Sequence, residues 1–532
     1  MRKKMKTALL LMIIAVLVLV TAACGSNEGT NGDNTEQENS GDVANNTPPV
    51  KQESDTPVNI KMMANHSSPQ LSDSDKKFVE AIETLNNVKL ELELPPSTGY
   101  AERLQLMLAS GEYPDLVFFP NTMDPSFRNA VKDNIIIPVN EYIESAKNLN
   151  DYTYPASWDE LKVNLDDQIY GIPRTSVVRN DGFFVRKDWL DQIGFDLPAN
   201  SEVTIEQFEE ILRKFTLEDP DNNGKDDTYG YGGGHNARKV LEVVTPGSFG
   251  LTGWQETANG EHPFMNPVYD SESAAFKDAL AFTANLYTSG YFDPDAAIND
   301  GNQRKERFWR GLTGVTPDFA GNYVTYLQEI QKNTPDAELA YLFVQDKEGK
   351  VKGGSLSTSS TGLWGFWAIT KSAKDPQKIV NMLDSWISDE MWTIAVEGYE
   401  GHEYNLVDGA KVSIKPAPTN FIRRNTMRRA NDLNFFFPVD MNKDVKDLVS
   451  PWLQKALDTV VPAKDNAFKP AATMSPNYID YQTLWDQTTM KIIMGVEPVT
   501  KFDELLKGWY ENGGQDYVKE MNDYISKLGT SK

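Results

Sequence analysis

The order of elements along residues 58–120 is the strongest constraint on the fold. Three predicted strands are VNIKMM (58–63), VKLELEL (88–94) and DLVFFP (115–120), and helical spacing of apolar residues predicts helices over 72–87 and 100–111 between them. Strands that alternate with helices in this way form a parallel sheet with helices packed against it. The chain is therefore predicted to be an α/β protein built on doubly wound sheets.

Loops at the ends of these strands are the first candidates for a binding site. In doubly wound sheets, ligands bind beyond the carboxyl ends of the strands. The first strand is followed by ANHSS (64–68), and the third leads into PNTMD (120–124). We predict His66 and Asn121 as ligand-binding residues; an ordinary turn is the alternative for each.

The N-terminus has the features of a bacterial lipoprotein signal. MRKKMK is a basic head, and the 13 apolar residues from Ala8 to Val20 suit a secretory signal but are short for a bilayer span. The run ends at TAAC, and Cys24 is the single cysteine of the chain, so it cannot form an intramolecular disulfide. We predict residues 1–23 as the signal peptide and Cys24 as the lipidated residue. Thr21 departs from the usual leucine of this motif, and an incidental cysteine is the alternative.

Residues 24–57 are predicted to form a disordered, lipid-anchored stalk. Residues 25–56 contain no aromatic and almost no aliphatic side chains, so they cannot bury enough apolar surface to offset the entropy lost on folding. Folded sequence is expected from near Val58. About 475 residues then remain, which is too many for one ordinary core and predicts two lobes.

The charge balance argues against a nucleic-acid partner. The net charge is −25, from 77 acidic and 52 basic residues, whereas phosphate binding needs clustered Lys and Arg. The one basic cluster, FIRRNTMRRA, contains Arg423, Arg424, Arg428 and Arg429. A solvated helix face or a set of ion pairs is one interpretation of this cluster; a surface for an anionic ligand or a partner is the other.

The acidic stretch DPDNNGKDDTYG (219–230) is a candidate metal site. It follows a predicted amphipathic helix whose start carries a capping box, Thr204 with Gln207. The oxygen ligands of an EF-hand type of loop would be Asp219, Asp221, Asn223, the carbonyl of Lys225, and Asp227. Calcium is a hard cation that prefers such a shell of oxygen atoms.

The same stretch departs from a calcium sensor in two ways. Position 12 is Gly230 instead of a bidentate glutamate, and YGYGGG cannot readily begin a second helix. We therefore predict a structural Ca²⁺ site with no regulatory role. A metal-free Asp/Asn turn is the alternative.

No catalytic signature stands out. HExxH, GxSxG and P-loop motifs are absent, and the four histidines are dispersed without a close pair suited to zinc. Paired carboxylates are easily found in so acidic a chain, but the sequence alone does not give the separation that a glycosidase pair needs. The chain is therefore predicted not to be an enzyme.

Aromatic residues beside glycines are more suggestive. They occur in LTGWQ (251–255), RFWRG (307–311), GLWGFW (362–367) and EGYEGHEYN (397–405). A ring next to glycine can stand exposed in a cleft and stack on the flat face of a sugar. Core packing is the other interpretation, and both stay open for Trp254, Trp364 and Tyr399.

Six stretches together resemble one protein family. They are SGEYPDLVFF (110–119), IIIPVNEYI (135–143), DQIYGIPR (167–174), FVRKDWLDQIGFDLP (184–198), DPDNNGKDDTYG (219–230) and EGYEGHEYN (397–405). Through them the chain resembles the family 1 extracellular solute-binding lipoproteins of bacterial ABC importers. Within that family it is similar to the LplA/LipO-type oligosaccharide-binding group. The resemblance covers nearly the whole chain after the stalk.

The resemblance implies a two-lobed, periplasmic-binding-protein-like fold of type II, with a hinge that lets the lobes close around a sugar. It places residues 58–175 plus 312–365 in the first lobe, and residues 176–311 plus 366–532 in the second lobe with the calcium loop. Relatives carry Ca²⁺ in the acidic loop, contact the sugar through cleft aromatics and usually work as monomers.

The predicted ligand-binding residues combine the strand-end loops, the aromatic stretches and the resemblance. They are His66, Asn121, Arg174, Trp254, Asp318, Trp364, Trp367, Tyr399 and Glu400.

The chain is therefore interpreted as a receptor anchored by lipid to the extracellular face of the cell membrane. It would capture an oligosaccharide and deliver it to the permease subunits of an ABC importer. Three alternatives remain open: a secreted glycoside hydrolase or lyase, a surface protein that binds glycan without import, and a receptor for a non-sugar ligand such as a peptide. The sequence does not define the sugar, its length or its charge.

Overall fold

The computed structural model describes residues 56–530 with several gaps. The gaps are residues 66–69, 123, 163–167, 234–245, 258–261, 354–360, 416–420, 431 and 467. The predicted signal peptide, Cys24 and nearly all of the predicted stalk therefore lie outside the described residues, and so does His66.

Strands and helices alternate along much of the chain. The strands are β1 (Val58–Met63), β2 (Val88–Glu93), β3 (Leu116–Phe119), β4 (Ile172–Thr175), β5 (Phe183–Arg186), β6 (Glu202–Val203), β7 (Tyr229–Tyr231), β8 (Gln255–Glu256), β9 (Phe264–Met265), β10 (Thr313–Pro317), β11 (Leu339–Val344), β12 (Leu363–Ile369), β13 (Tyr404–Val407) and β14 (Ala410–Ser413). The α-helices are α1 (Asp73–Asn86), α2 (Tyr100–Ser110), α3 (Pro125–Lys132), α4 (Asn140–Ile143), α5 (Lys147–Asp151), α6 (Pro155–Asp159), α7 (Lys187–Gln192), α8 (Ile205–Leu217), α9 (Ala275–Thr288), α10 (Gly301–Trp309), α11 (Tyr323–Gln331), α12 (Pro376–Trp386), α13 (Asp389–Glu397), α14 (Phe421–Asn425), α15 (Lys443–Asp458), α16 (Pro476–Ile493), α17 (Lys501–Trp509) and α18 (Gln515–Thr530).

The first sheet has the strand order β2-β1-β3-β12-β4 and agrees with the α/β prediction. β1 pairs in parallel with β2 and β3, because α1 and α2 return the chain to the same starting edge each time. β12 comes from much later in the chain and runs antiparallel to both β3 and β4. Four strands of this sheet therefore point one way and β12 points the other way.

The second sheet has the order β6-β11-β5-β10-β7. β5 runs antiparallel to β10 and β11, whereas β6 and β7 pair in parallel with β11 and β10. Along β5, Phe183 and Val185 enter one apolar cluster and Phe184 enters another on the opposite face. This is the two-residue period of a strand, and burial of both faces explains why β11 is apolar throughout.

Local sequence signals set the start of α8, as predicted. The Thr204 hydroxyl accepts the backbone N–H of Gln207 at 3.2 Å, and the Gln207 side chain accepts the N–H of Thr204 at 2.9 Å. This reciprocal pair satisfies two N–H groups that have no partner inside the helix. The apolar face of α8 then packs into the core through Phe208, Ile211 and Phe215.

Three segments carry the chain between the two sheets. Residues 176–182 link β4 to β5, and the segment between β11 and β12 returns to the first sheet. Residues 428–442 then lead from Met427, in the core of the first sheet, to α15, which packs on the second sheet. Two lobes joined by crossing segments are the type II arrangement predicted from the sequence.

The sheets divide the chain differently from the predicted lobe boundaries. Residues 312–365 were expected in the first lobe, but β10 and β11 within them belong to the second sheet. Residues from 366 onward were expected in the second lobe, but the segment from Phe366 to Met427 contributes to the core of the first sheet. A strand that is apolar on both faces fits either sheet, so its local sequence does not define which non-local partner it takes.

Within the described residues, no helix combines the length and the apolar character needed to cross a membrane.

Candidate functional site

The carboxyl edge of the first sheet gathers several predicted residues. Asn121 follows the end of β3, and Arg174 lies near the end of β4. Trp364 is at the start of β12, which is antiparallel and so begins at this same edge, with Leu363 opposite Thr175. Topology therefore brings Asn121, Arg174 and Trp364 to the edge where sheets of this kind bind ligands.

A short segment joins the carboxyl edge of the second sheet to that of the first. Asp318 follows the end of β10, and Gly182 precedes β5, which is antiparallel to β10. The hydroxyl of Tyr341 joins these two points, since it accepts the N–H of Gly182 and donates to the carbonyl oxygen of Asp318, both at 2.7 Å. The seven residues 176–182 run from one edge to the other and span at most about 25 Å. The carboxyl edges of the two sheets are therefore close to each other at this point.

Arg174 is buried and held by backbone carbonyls. Its Nε donates to the carbonyl oxygen of Trp364 at 2.8 Å, and a terminal nitrogen donates to that of Asn425 at 3.2 Å. The guanidinium carbon lies 4.4 Å from the ring centre of Phe118 and 4.5 Å from that of Trp364. Burial lowers the pKa of Arg174 to about 10. The position is fixed, but the charge has no carboxylate partner among the described residues.

Trp364 is the exposed aromatic of this edge. Its side chain is 49% exposed, whereas its neighbours along β12 from Gly365 onward are buried. The guanidinium of Arg428 lies 4.2 Å from its ring centre, in addition to that of Arg174. Contacts of this kind are cation–π interactions, which hold both guanidiniums beside an exposed apolar surface.

Two aromatic residues that the sequence interpretation missed connect the two lobes at this place. Phe435 stacks on Trp392 in the first lobe with 5.9 Å between ring centres, and the next residue, Phe436, contacts Phe319 in the second lobe at 4.5 Å. The run NFFFP (434–438) is the only sequence signal for this contact, and it does not indicate that neighbouring rings enter different cores.

Asp318 is a carboxylate of the second edge that is surrounded by hydrogen-bond donors. Its carboxylate accepts hydrogen bonds from the N–H of Phe319, the side chain of Asn322 and the hydroxyl of Tyr326, and it pairs with Lys305 at 2.7 Å. Burial alone would raise the pKa of Asp318, but the hydrogen bonds from Lys305 and Tyr326 outweigh it and the pKa lies below its usual value. The Asp318 carboxylate is therefore stably ionised and held in a fixed position by its partners.

Asp318→Asn is expected to lower the free energy of unfolding at pH 7 by about 1–3 kcal/mol, because charged hydrogen bonds are lost in a buried place. An acid whose folded pKa is lowered stabilises the fold above its unfolded pKa, here near 3.8, and this contribution disappears as the pH falls through the lowered value. Thermal melting of both proteins between pH 7 and pH 3 should show a difference that shrinks below about pH 3.8. Equal midpoints at pH 7 would contradict this role.

Two predicted ligand residues belong to the cores instead. Trp254 is fully buried in the second lobe, where its ring lies 5.9 Å from that of Tyr517. Trp367 is 2% exposed, and its indole N–H donates to the carbonyl oxygen of Thr426 at 2.7 Å. A sugar cannot stack on a ring without an exposed face, so the structure contradicts the prediction that these two residues are binding surfaces. Gly365, two residues before Trp367, packs closely against Phe118, and Gly253 beside Trp254 has a φ of 74° that favours glycine.

Tyr399 and Glu400 lie beside the start of α1. The Tyr399 ring is half-buried with the ammonium of Lys77 4.4 Å from its centre, and its backbone N–H donates to Glu403 at 2.8 Å. Glu403 also accepts the hydroxyl of Ser74, in the first turn of α1. Glu400 is exposed. Since α1 follows the carboxyl end of β1, these residues are at the same end of the first lobe as Trp364, but no described contact joins them to it.

The arginine cluster divides into two groups. Arg423 is fully buried and donates to the carbonyl oxygens of Ile394 and Ala395, and Arg429 pairs with Asp389 at 2.7 Å. These two fit the ion-pair and core interpretation. Arg424 and Arg428 instead turn toward Phe435, whose ring centre is 4.6 and 4.5 Å from their guanidinium carbons. The solvated helix face is therefore not what the cluster forms.

The acidic loop contains the predicted oxygen donors, in a hydrogen-bonded arrangement. The Asp219 carboxylate accepts the N–H groups of Asn223 and Gly224, and the Asn223 amide donates to Asp221 at 2.9 Å and to Asp227 at 3.0 Å. Gly224 has a φ of 78°, which permits the turn. Within the described residues, no group of three or more His, Cys, Asp or Glu side chains is arranged to hold a metal.

The chemistry of this donor set nevertheless fits a hard cation. Burial raises the pKa of Asp221, and the neighbouring Asp219 and Asp227 raise it further, so the loop concentrates more negative charge than its own hydrogen bonds relieve. Three carboxylates, one amide oxygen and a carbonyl are the oxygen ligands that Ca²⁺ takes. Binding would require the Asn223 amide group, which now bridges Asp221 and Asp227, to turn its oxygen inward.

Comparison with known proteins matches residues 77–396 to a family described as bacterial extracellular solute-binding protein. This match covers more than half of the chain. The chain belongs to that family. Two relatives from Bacillus subtilis (strain 168) are each 24% identical to this solute-binding protein. Lipoprotein LipO matches over 486 residues, 87% of this chain and 91% of LipO, and the polygalacturonan/rhamnogalacturonan-binding protein YtcQ over 461 residues, 84% of this chain and 87% of YtcQ.

Solved structures of solute-binding proteins share its fold at lower identity. An HMO-binding, ABC-transporter-associated solute-binding protein from Bifidobacterium longum infantis ATCC 15697 has a TM-score of 0.64 at 14% identity, and the match covers 89% of this chain and 99% of that protein. The EF-hand mutant of FusA from Streptococcus pneumoniae, in complex with fructo-nystose, has a TM-score of 0.57 at 17% identity. This match covers 89% of this chain and 100% of the FusA chain. Alginate-binding protein AlgQ2 without calcium ion has a TM-score of 0.58 at 19% identity. This match covers 89% of this chain and 98% of the AlgQ2 chain.

Proposed function

We propose that this solute-binding protein is the lipid-anchored receptor of an ABC importer and binds an oligosaccharide between the facing edges of its two sheets. The observation that carries the proposal is the half-exposed Trp364 at an edge that crossing segments join to a second, polar edge around Asp318. A pyranose has an apolar face and a rim of hydroxyls, so an aromatic ring with hydrogen-bonding groups opposite it is a suitable surface.

The names of the relatives support a sugar over a peptide. YtcQ is named for polygalacturonan and rhamnogalacturonan, and the curated FusA of Streptococcus pneumoniae, 24% identical over 265 residues, is named a fructooligosaccharide ABC transporter substrate-binding protein. A sugar that contacts both edges favours the closed arrangement of the lobes, because its binding free energy adds to that state alone. The permease would then recognise the closed arrangement, which forms when a sugar is bound.

A glycan screen tests this proposal. Adding neutral and acidic oligosaccharides one at a time should change the tryptophan fluorescence and raise the melting temperature with at least one of them. Chromatography of the mixture should return that sugar unchanged, whereas a hydrolase or lyase would release shorter products. If no glycan shifts either signal while a peptide mixture does, the oligosaccharide proposal is wrong.

Lipidation of Cys24 gives a direct prediction for localisation. Cells that express the full chain should incorporate labelled palmitate into it and retain it in the membrane fraction, because the anchor is the acyl chains and not a spanning helix. Cys24→Ser should abolish the labelling and move the protein to the medium. Retention of the Cys24→Ser protein in the membrane fraction would contradict the anchor.

We also propose that the acidic loop binds Ca²⁺ as a structural ion through Asp219, Asp221, Asn223, the Lys225 carbonyl and Asp227. If the dissociation constant is on the order of 10⁻⁴–10⁻³ M, as for extracellular calcium modules, 10 mM Ca²⁺ stabilises the fold by about 1.4–2.7 kcal/mol. The melting temperature should therefore be higher in Ca²⁺ than in chelator.

Asp221→Asn should lose most of this calcium-dependent shift. Asp226→Asn is the matched control, since it removes one carboxylate of the same loop that is not among the proposed ligands. Equal melting in Ca²⁺ and chelator, or an equal loss in both variants, would contradict the site.

A further inference from the structure

Three arginines meet at the ligand edge of the first sheet without a carboxylate among them. We call Arg174, Arg424 and Arg428, with the rings of Trp364 and Phe435, the arginine shelf. Arg428 has a central place in it, because its guanidinium carbon is 4.2 Å from the Trp364 ring centre and 4.5 Å from that of Phe435. The Thr175 hydroxyl donates to the carbonyl oxygen of Arg428 at 2.7 Å and fixes it to the end of β4.

The hydrogen bonds of the shelf go to neutral groups. Arg174 donates to the carbonyl oxygens of Trp364 and Asn425, Arg424 to that of Phe435, and Arg428 to the side-chain oxygen of Asn425. In the described part of the chain none of the three forms an ion pair, and the Nε atoms of Arg424 and Arg428 are buried without a hydrogen-bond partner. The hydrogen-bonding capacity of these two guanidinium groups is thus not fully satisfied by the protein, in a region that is already partly dehydrated.

The electrostatics of the shelf are unusual for this protein. The chain has a net charge of −25, and its other buried arginines, such as Arg423 and Arg186, lie within ion-pair distance of a carboxylate. Burial, followed by the charges of Arg174 and Arg424, lowers the pKa of Arg428 to about 9. Among the described residues, Glu403 is the one carboxylate whose charge favours the ionised form of a shelf arginine, and it acts on Arg424. The repulsion that Arg174 and Arg428 experience is therefore not offset by any carboxylate among the described residues.

We infer that the arginine shelf binds a carboxylate of the ligand, so that the transported sugar is an acidic oligosaccharide containing uronate residues. This inference rests on the proposed function and names its substrate class. A guanidinium presents its N–H groups in a fork that matches the two oxygens of a carboxylate, and a carboxylate between Arg174 and Arg428 would offset their mutual repulsion. The exposed part of Trp364 then lies against the sugar ring that carries this carboxylate.

The decisive experiment compares matched ligands on the full chain in detergent. Isothermal titration would use trigalacturonate, trimannuronate, their methyl esters, a sulfated trisaccharide and neutral fructo- and manno-oligosaccharides. The methyl ester keeps the hydroxyls and shape of the uronate and removes its charge. At least one free acid should bind at least tenfold more tightly than its ester, and the preference should decrease as NaCl is raised, because salt screens the charge.

Variants assign the preference to the shelf. Arg428→Gln and Arg174→Gln should each reduce the preference for acid over ester to less than twofold, while Arg429→Gln, whose guanidinium already has Asp389 as partner, should retain it. Arg428→Lys keeps the charge and loses the fork, so it should recover only part of the preference. If a variant does not fold, the comparison of acid with ester on the unaltered chain still decides the charge requirement.

Each other outcome has a defined meaning. Binding of neutral sugars or esters as tightly as the acids, binding of the sulfated sugar alone, or full preference in Arg428→Gln and Arg174→Gln would overturn the inference and leave the proposed function intact. Failure of every glycan, neutral and acidic, would overturn both.

Discussion

Replacing Arg423 with methionine is expected to destabilise the first lobe by about 3–5 kcal/mol, because a buried charge network would lose its central cation. Arg423 is 1% exposed, and its guanidinium donates to the carbonyl oxygens of Ile394 and Ala395, each at 2.6 Å. Glu403 lies 3.6 Å away and Asp75, fully buried, accepts the backbone N–H of Arg423 at 2.8 Å. Two carboxylates would remain in a dry environment without the cation that compensates them.

Urea unfolding followed by tryptophan fluorescence measures this effect. The transition in which the first lobe unfolds should move to a lower urea concentration. Arg213→Met is the control, since Arg213 pairs with Glu210 and Glu218 on the partly exposed surface of α8 and should cost less than about 1 kcal/mol. The double change Arg423→Met with Glu403→Gln should be less destabilising than the sum of the two single changes, because both groups belong to one network. Unfolding of Arg423→Met at the urea concentration of the unaltered chain would show that the network contributes no stability.

Trp254→Ala is expected to cost about 3–5 kcal/mol in stability and to change ligand affinity by less than twofold. The ring is fully buried in the core of the second lobe next to Tyr517, so its removal leaves a cavity that the surrounding helices can fill only in part.

Trp364→Ala should have the opposite pattern, with a small effect on stability and a large effect on ligand affinity. Its ring is half exposed, so stability should fall by less than about 1.5 kcal/mol, whereas affinity for the ligand found in the glycan screen should fall at least tenfold.

Thermal melting and titration on the same two variants separate the roles. If Trp254→Ala binds the ligand tenfold more weakly and melts at an unchanged temperature, Trp254 is a ligand-binding residue after all. An unchanged affinity in Trp364→Ala would remove the main support for a stacked sugar at the first edge.

Local patterns predicted the parts of the fold that depend on neighbouring residues. The alternation of strands and helices over 58–120 predicted the parallel half of the first sheet, because each strand pairs with one close to it in the chain. The capping box at Thr204 was equally local and is confirmed. The placement of β11 and β12 was not accessible in the same way. Both are apolar strands whose partners lie far away in sequence, and either sheet would bury them.

The candidate site shows the same limit. Asn121, Arg174 and Trp364 could be placed together, since their strands end or begin at a shared edge. Trp254 was misjudged because a glycine beside an indole indicates an exposed ring as readily as close packing. Arg428 could not be selected from its cluster, because its surroundings come from β4, β12 and the segment before α15. Their convergence is a property of the fold.

The contacts of Phe435 and Phe436 limit how the two lobes can move. These adjacent residues pack against different cores, one on Trp392 and the other on Phe319, and their Cα atoms are about 3.8 Å apart in every conformation of the chain. While both rings stay packed, the lobes cannot be pulled apart at this point and can only swing about it. We therefore expect the third crossing segment to act as a pivot, so that the gap between the lobes widens with distance from it. The arginine shelf includes Phe435 and therefore lies close to this pivot. We expect its residues to move less than the rest of the site when the lobes open and close.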